Sequence, residues 1–218
     1  MKEAKRPRGR PPVGSDEERS QAILDLALKI FVEQGYAATT MDELAAKGHW
    51  SKQTLYRLFP SKVALFEALA DRHRQSMLDF GAITDEDPVD IALAKIFRVD
   101  LTEAEDLSRR SILQLAGAER GMAPELATAI RSCGYEPSRA RLAQWLESRR
   151  ARGELVFEEE SLEYAGILMA MMFVAPGLPS DPSVPPFNPD RYRAHVKRCI
   201  AVFLGGVGSP GLHSAPPR

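Results

Sequence analysis

The sequence predicts an all-α fold, with an N-terminal unit of short helices followed by a larger helical domain. Three observations predict it. Apolar residues recur at i, i+3, i+4 and i+7 in stretch after stretch. Ser, Thr, Asp or Asn stands directly before these stretches, as at helix starts. No alternation of apolar and polar residues is long enough for a strand. With 218 residues, 44% of them hydrophobic, the chain can build one large core or two small ones.

Taken in order, residues 1–14 form the first element, a basic arm. Lys2, Lys5, Arg6, Arg8 and Arg10 face a single acid, Glu3, although the whole chain carries a net charge of −1. Pro7 and Pro11 flank Arg8-Gly9-Arg10 and keep it extended. Pro-Arg-Gly-Arg-Pro resembles the core of an AT-hook, which places guanidiniums in the minor groove of A·T-rich DNA. Residues 1–62 hold 11 Lys/Arg and 8 Asp/Glu, and the remainder holds 18 and 22. The basic end suits a polyanion.

Ser15 to Glu18 reads as a capping box opening a first helix, which Gly35 ends. Thr40 to Glu43 is a second capping box, opening a short helix with Leu44 and Ala45 inward. Lys47-Gly48-His49-Trp50 breaks that helix. Ser51 caps a third, Lys52 to Phe59, with Leu55, Leu58 and Phe59 inward. Pro60-Ser61 starts a fourth, running as far as Phe80. Further helices are expected at 88–101, 103–120, 123–133, 137–152, 161–174 and 189–204. Asp87-Pro88 and Asn188-Pro189 each read as an N-cap followed by proline. Residues 176–189 read as a proline-rich loop, and 206–218 as a disordered tail.

The short helix, tight turn and helix at 40–59 have the lengths of a helix-turn-helix, whose second helix enters the major groove. With the apolar face inward, Gln53 and Arg57 point away from the core, flanked by Thr54 and Tyr56. Gln suits adenine and Arg suits guanine; Thr, Tyr and Lys more often hold phosphates. Lys52 lies at the helix start. Thr40 and Lys62 sit at helix starts where an anion can be held. The expected DNA contacts are thus Arg8, Arg10, Thr40, Lys52, Gln53, Thr54, Tyr56, Arg57 and Lys62, within a DNA-binding domain at 15–70.

"GYAATTMDELAAKGHWSKQTLYRLFPSKVALFEAL" resembles the DNA-binding domain of TetR-family transcriptional regulators. Gly35-Tyr36, Thr39-Thr40, Ser51-Lys52, Thr54-Leu55-Tyr56, Phe59 and Ser61-Lys62 carry the likeness. "ARGELVFEEESLEYAGILM" resembles more loosely the C-terminal domain of the AefR-like branch. Two departures stand out. His49-Trp50 replaces a usual Gly-Val, with the glycine at Gly48; the larger Trp50 is expected to change the packing angle. Leu58 replaces a common phosphate-holding His.

The resemblance implies a homodimer built from the last two helices and a small-molecule pocket in each subunit. It also implies repression at an operator, released by an effector. Residues 71–205 would form this domain. Leu162, Ala165, Gly166, Val196, Cys199, Ile200 and Phe203 are the expected dimer interface. Pocket walls are sought at Phe97, Leu115, Trp145, Met169 and Phe173, with polar points at Gln114 or Glu119; Tyr135 and Arg131 are further candidates. The palindromic operator, the effector and a second copy are the expected partners.

Other classes find little support. There is no Gly-rich phosphate loop, G-x-S-x-G elbow, H-E-x-x-H or convincing carboxylate pair, so no catalytic residue, metal or cofactor is expected. Cys133 and Cys199 make no disulfide framework, which suits a cytoplasmic protein; as isolated helical thiols they read as inert rather than as oxidant sensors. No run of about 18 apolar residues spans a membrane. The alternatives are an architectural A·T-rich DNA binder using only the arm, or a helical enzyme.

Overall fold

A computed structural model describes residues 15–100, 102, 124–173 and 188–207. The arm with Arg8 and Arg10, the helix expected at 103–120 with Gln114, Leu115 and Glu119, residues 176–187 of the proline-rich loop, and the tail beyond 207 lie outside them. Every element among the described residues is helical, as the periodicity predicts.

Ser15 and Glu18 form the reciprocal capping box that opens α1 (Asp16–Gln34), and Gly35 closes it at φ 89°. Thr40 caps α2 (Met41–Lys47) by accepting from Glu43 N. Ser51 caps α3 (Lys52–Leu58), and Ser61 caps α4 (Lys62–Met77), each accepting from the backbone three residues on. These helices enclose one core, in which Tyr36 sits edge-on to Phe31 at 5.2 Å and to Phe66 at 5.6 Å. Leu126 and Ala129 enter the same core from far along the chain. That core thus draws on residues from both sides of position 70.

The helix expected at 88–101 is shorter, α5 (Val89–Ile96). Tertiary donors take its last carbonyls. Asp79 N donates to Ile96 O at 2.8 Å and Tyr192 Oη to Phe97 O at 2.9 Å, while Arg98 turns to φ 50°. Asp87 does not cap this helix. Its carboxylate accepts from Thr84 N and Lys95 Nζ instead, which holds it below the usual carboxylate range; the Lys95 bond is the larger cause.

The helices expected at 123–133 and 137–152 are one continuous path. α6 (Pro124–Ala129) passes through a π turn (Ile130–Tyr135) into α7 (Glu136–Ala151). Pro137 explains the widened turn. It has no N–H for Cys133 O, and its ring would crowd that carbonyl; Glu136 N reaches back five residues to Arg131 O instead. Near the end of α7, Arg149 is buried. Its guanidinium donates to the carbonyls of Thr84, Asp85 and Asp87 and pairs with Glu154 at 2.9 Å. One cation thus holds the loop before α5 against α7.

α8 (Ser161–Phe173) begins where Ser161 donates to Glu147, and α9 (Pro189–Val207) where Asn188 Oδ1 accepts from Arg191 N. α9 carries through Gly205 and Gly206 to a buried Val207, whose carbonyl accepts from Val156 N at 2.7 Å. Residues 206 and 207, expected in the tail, are helical. The larger core gathers residues of α5, α7, α8 and α9.

Candidate nucleic-acid interface

The turn between α2 and α3 sets the angle of the reading helix. It is a Schellman motif: Trp50 N donates to Ala45 O at 3.0 Å and His49 N to Ala46 O at 3.3 Å. The left-handed position, usually a glycine, is His49 at φ 56°. Gly48 is right-handed and serves a different need. The Trp50 ring lies directly over it, and a Cβ there would fall 2.0 Å from Cζ3. The displaced glycine and the unusual tryptophan are thus one adaptation.

On α3, Leu55 and Phe59 are buried and Leu58 half-buried. Gln53, Tyr56 and Arg57 are exposed together on the outer side, with Thr54 half-buried at their flank. Thr54 Oγ1 shares a hydrogen bond with Ser51 at 2.8 Å. Thr40 is exposed at the start of α2. Its oxygen is occupied by Glu43 N at 3.2 Å, while Glu43 pairs with Lys47 and is held below its ordinary range by that bond first.

Among the described residues, the cations expected on DNA already have partners. Arg57 holds Asp16 with two bonds, 2.7 and 2.8 Å, raising its own affinity for protons and depressing that of Asp16. Lys52 pairs with Asp42 at 2.7 Å, which likewise raises the Lys52 pKa. Both pairs are exposed, so each is weak and open to exchange.

Lys62 differs. Its ammonium donates to Tyr36 O at 2.7 Å, Thr39 O at 2.8 Å and Ala37 O at 3.3 Å, and lies 4.3 Å from the Tyr36 ring. Three carbonyls match the three protons of an ammonium. Lys62 therefore fastens α4 to the α1–α2 loop, in contrast to the exposed pairs of Arg57 and Lys52. Buried Thr39 donates to Gly35 O at 2.8 Å in the same loop, a structural role beyond the family likeness it carries. Its place after a helix-ending glycine was the available signal.

The expected dimer face also needs correction. Ala165, Val196, Cys199, Ile200 and Phe203 are all within the subunit's own core. Gly166 is covered by Arg139, with a Cβ there 3.1 Å from Nε; Leu162 alone of that set is exposed. The outer sides of the same helices carry Ile167, Ala170, Ala201, Val202 and Gly205, with Val202 68% exposed. The stripe at i, i+3, i+4 and i+7 is real, but it faces α5 and α8.

Of the expected pocket walls, Phe97 and Met169 belong to the larger core, with Trp145 half-buried against it under Arg149. The side chain of Phe173 is outside the described set. Met169 and Tyr135 line a cavity of about 100 Å³ between α4, the π turn and α7, together with Ala70, His73, Met77 and Ile130. Arg131 is exposed and is not among its walls. Cys199 donates to Met171 O at 3.4 Å, and burial pushes its thiol pKa up, the opposite of an activated cysteine.

A capped short helix, a Schellman turn and a second helix with an exposed polar face define a helix-turn-helix, the class of protein that reads DNA with its second helix. Residues 23–69 match the family described as bacterial regulatory proteins, tetR family. The chain is 30% identical over 155 residues to YdeS of Bacillus subtilis (strain 168), an uncharacterized HTH-type transcriptional regulator; the match spans 68% of this chain and 71% of YdeS. It is 27% identical to YvkB of the same organism, likewise an uncharacterized regulator, over 71% of this chain and 79% of YvkB. Among solved structures, the flavonoid-responsive regulator FrrA superposes with a TM-score of 0.62 at 25% identity, covering 89% of this chain and 99% of FrrA. The chain belongs to the TetR family and is a DNA-binding transcriptional regulator. Among the described residues no helix is long and apolar enough to cross a membrane, and no three His, Cys, Asp or Glu gather as for a metal.

Proposed function

We propose that the protein is a cytoplasmic repressor that binds a palindromic operator as a homodimer and leaves it when a small molecule binds. The observation that carries this reading is the outer face of α3. Gln53 and Tyr56 stand exposed there, and Arg57 and Lys52 are held only by exposed, exchangeable acids. Gln53 reads a base, and Tyr56, Thr54 and Thr40 position the phosphates. Arg57 reaches DNA by trading Asp16 for it. Arg8 and Arg10 extend the contact into the minor groove beside the site. The larger domain is assigned to the AefR-like branch on the stretch 151–169.

For the dimer, the bare outer sides of α8 and α9 replace the buried stripe. Small residues there, Ala170, Ala201 and Gly205, allow two helix pairs to approach closely around Ile167 and Val202. Release would run through α4, whose first half lies in the DNA-reading core and whose second half borders the cavity. The response of FrrA to flavonoids supports a small-molecule effector here.

Selection from random DNA tests the reading. The full chain should enrich a two-fold sequence with half-sites about 34–36 Å apart. Gln53→Ala should cost about 1–3 kcal/mol and relax preference at one position in each half-site. Enrichment of A·T-rich DNA without symmetry would instead favour the architectural reading.

A further inference from the structure

The far half of α4 borders two adjoining spaces that share Arg74 and Ser138 as walls. One is the apolar cavity of about 100 Å³ already described. The other is a cleft of about 140 Å³ with Arg74, Arg141 and Asp79 on its walls, closed at one side by Phe80. The two differ sharply in chemistry, and that difference selects a ligand.

The apolar space is walled by Met77 and Met169, which adapt to an irregular guest. An apolar cavity of about 150 Å³ takes up benzene; this one is smaller, about 100 Å³, but not enclosed, so a ring would occupy it together with its opening. The polar cleft carries Arg74, Arg141 and Asp79; Arg74 is already paired with Asp71, which leaves Arg141 as the wall cation with no carboxylate on it among the described residues. Asp79 Oδ1 is already turned to Gly81 N and Ala82 N, at 2.9 and 3.2 Å. Arg141 is exposed and stacks on Phe80, 4.6 Å from the ring centroid, which presents its guanidinium without consuming its donors. Arg74 gives Nε and Nη2 to one oxygen of Asp71. Between the two spaces stands Ser138, only 5% exposed, whose hydroxyl makes no hydrogen bond among the described residues. Ser138 lines both spaces, so its hydroxyl can bond a polar guest atom at this wall.

We propose that this double site binds a small aromatic carboxylic acid as its anion. The ring lies between Met77 and Met169, and the carboxylate lies against Ser138, Arg74 and Arg141. The inference rests on the effector reading above and specifies the chemical class of that effector. It also gives the ligand a lever. A carboxylate at Arg74 competes with Asp71, on the helix that carries Leu65, Phe66 and Leu69 into the DNA-reading core.

The test uses the full-length protein with 13C-methyl methionine, titrated with 3-phenylpropanoate and with its neutral amide. The acid should shift the Met77 and Met169 methyl signals and bind at least tenfold more tightly than the amide by calorimetry. Arg141→Gln, on an exposed residue, should remove most of that preference while the ring-dependent shifts remain. Ser138→Leu should block both ligands. Equal binding of acid and amide would overturn the anionic class and leave the cavity standing. Failure of both ligands to shift Met77 or Met169 would overturn the site itself. The effector reading is decided separately, by whether any apolar small molecule lowers operator affinity in a DNA-release screen.

Discussion

The two halves of α4 live in different surroundings. Its first half places Leu65, Phe66 and Leu69 in a sealed core with three interlocked aromatic rings. Its second half, from Ala70 to Met77, borders open space against a π turn. The sealed half transmits force as a rigid body, because a close-packed interior resists small displacements. The open half can yield, since a cavity lining lacks part of its dispersion contacts. A helix rigid at the reading end and adjustable at the other suits the proposed release, in which the DNA-reading unit would move as one piece.

The largest test of this contrast concerns which faces are core. Val196→Glu, on the buried side of α9, should cost about 3–5 kcal/mol or abolish folding, because it strands a charge in an apolar core. Val202→Glu, on the bare side, should alter folding stability by less than about 0.5 kcal/mol. It should nevertheless yield monomers in sedimentation. A folded, dimeric Val196→Glu protein would overturn the assignment of faces.

Next in size is the turn. Gly48→Ala forces a methyl group into the Trp50 ring and should destabilise by about 1–3 kcal/mol in urea denaturation. Adding Trp50→Val should restore most of the loss. Absence of rescue would mean that Gly48 serves some other need.

Smaller again, His49→Gly should stabilise by about 1 kcal/mol, since a left-handed side chain costs about that much. Thermal denaturation reads the gain directly. An unchanged midpoint would show that the imidazole offsets its own backbone strain.

The smallest effect is on the exposed Asp16–Arg57 pair. Its hydrogen bond with Arg57 depresses the Asp16 pKa, so the pair is fully present above the ordinary carboxylate range of about 4. It is lost only as pH falls through the lowered value. Arg57 Nε exchange, followed by NMR, should stay constant from neutral pH down to that range and quicken below it. Asp16→Asn should quicken it at neutral pH and should strengthen DNA binding severalfold if Arg57 is a DNA contact. Weaker binding would make Arg57 a brace between α1 and α3.

The sequence by itself determined the helices and their starts. Ser15, Thr40, Ser51, Ser61 and Asn188 cap the helices they were expected to cap, because capping is a bond between residues three apart. It also determined the helix-turn-helix and the outward side of α3, since a seven-residue helix with buried Leu55 has little freedom in its facing. Tertiary structure decided the rest. Whether an apolar stripe meets its own subunit or another depends on what packs beside it, and the Val196–Phe203 stripe met α5 and α8. Lys62 turned inward because the loop carrying Tyr36 and Thr39 brings three carbonyls to it. α5 stopped at Ile96 because Asp79 and Tyr192, far away in the chain, supply donors to its last carbonyls. Periodicity records that a face is buried; only the assembled neighbours record what buries it.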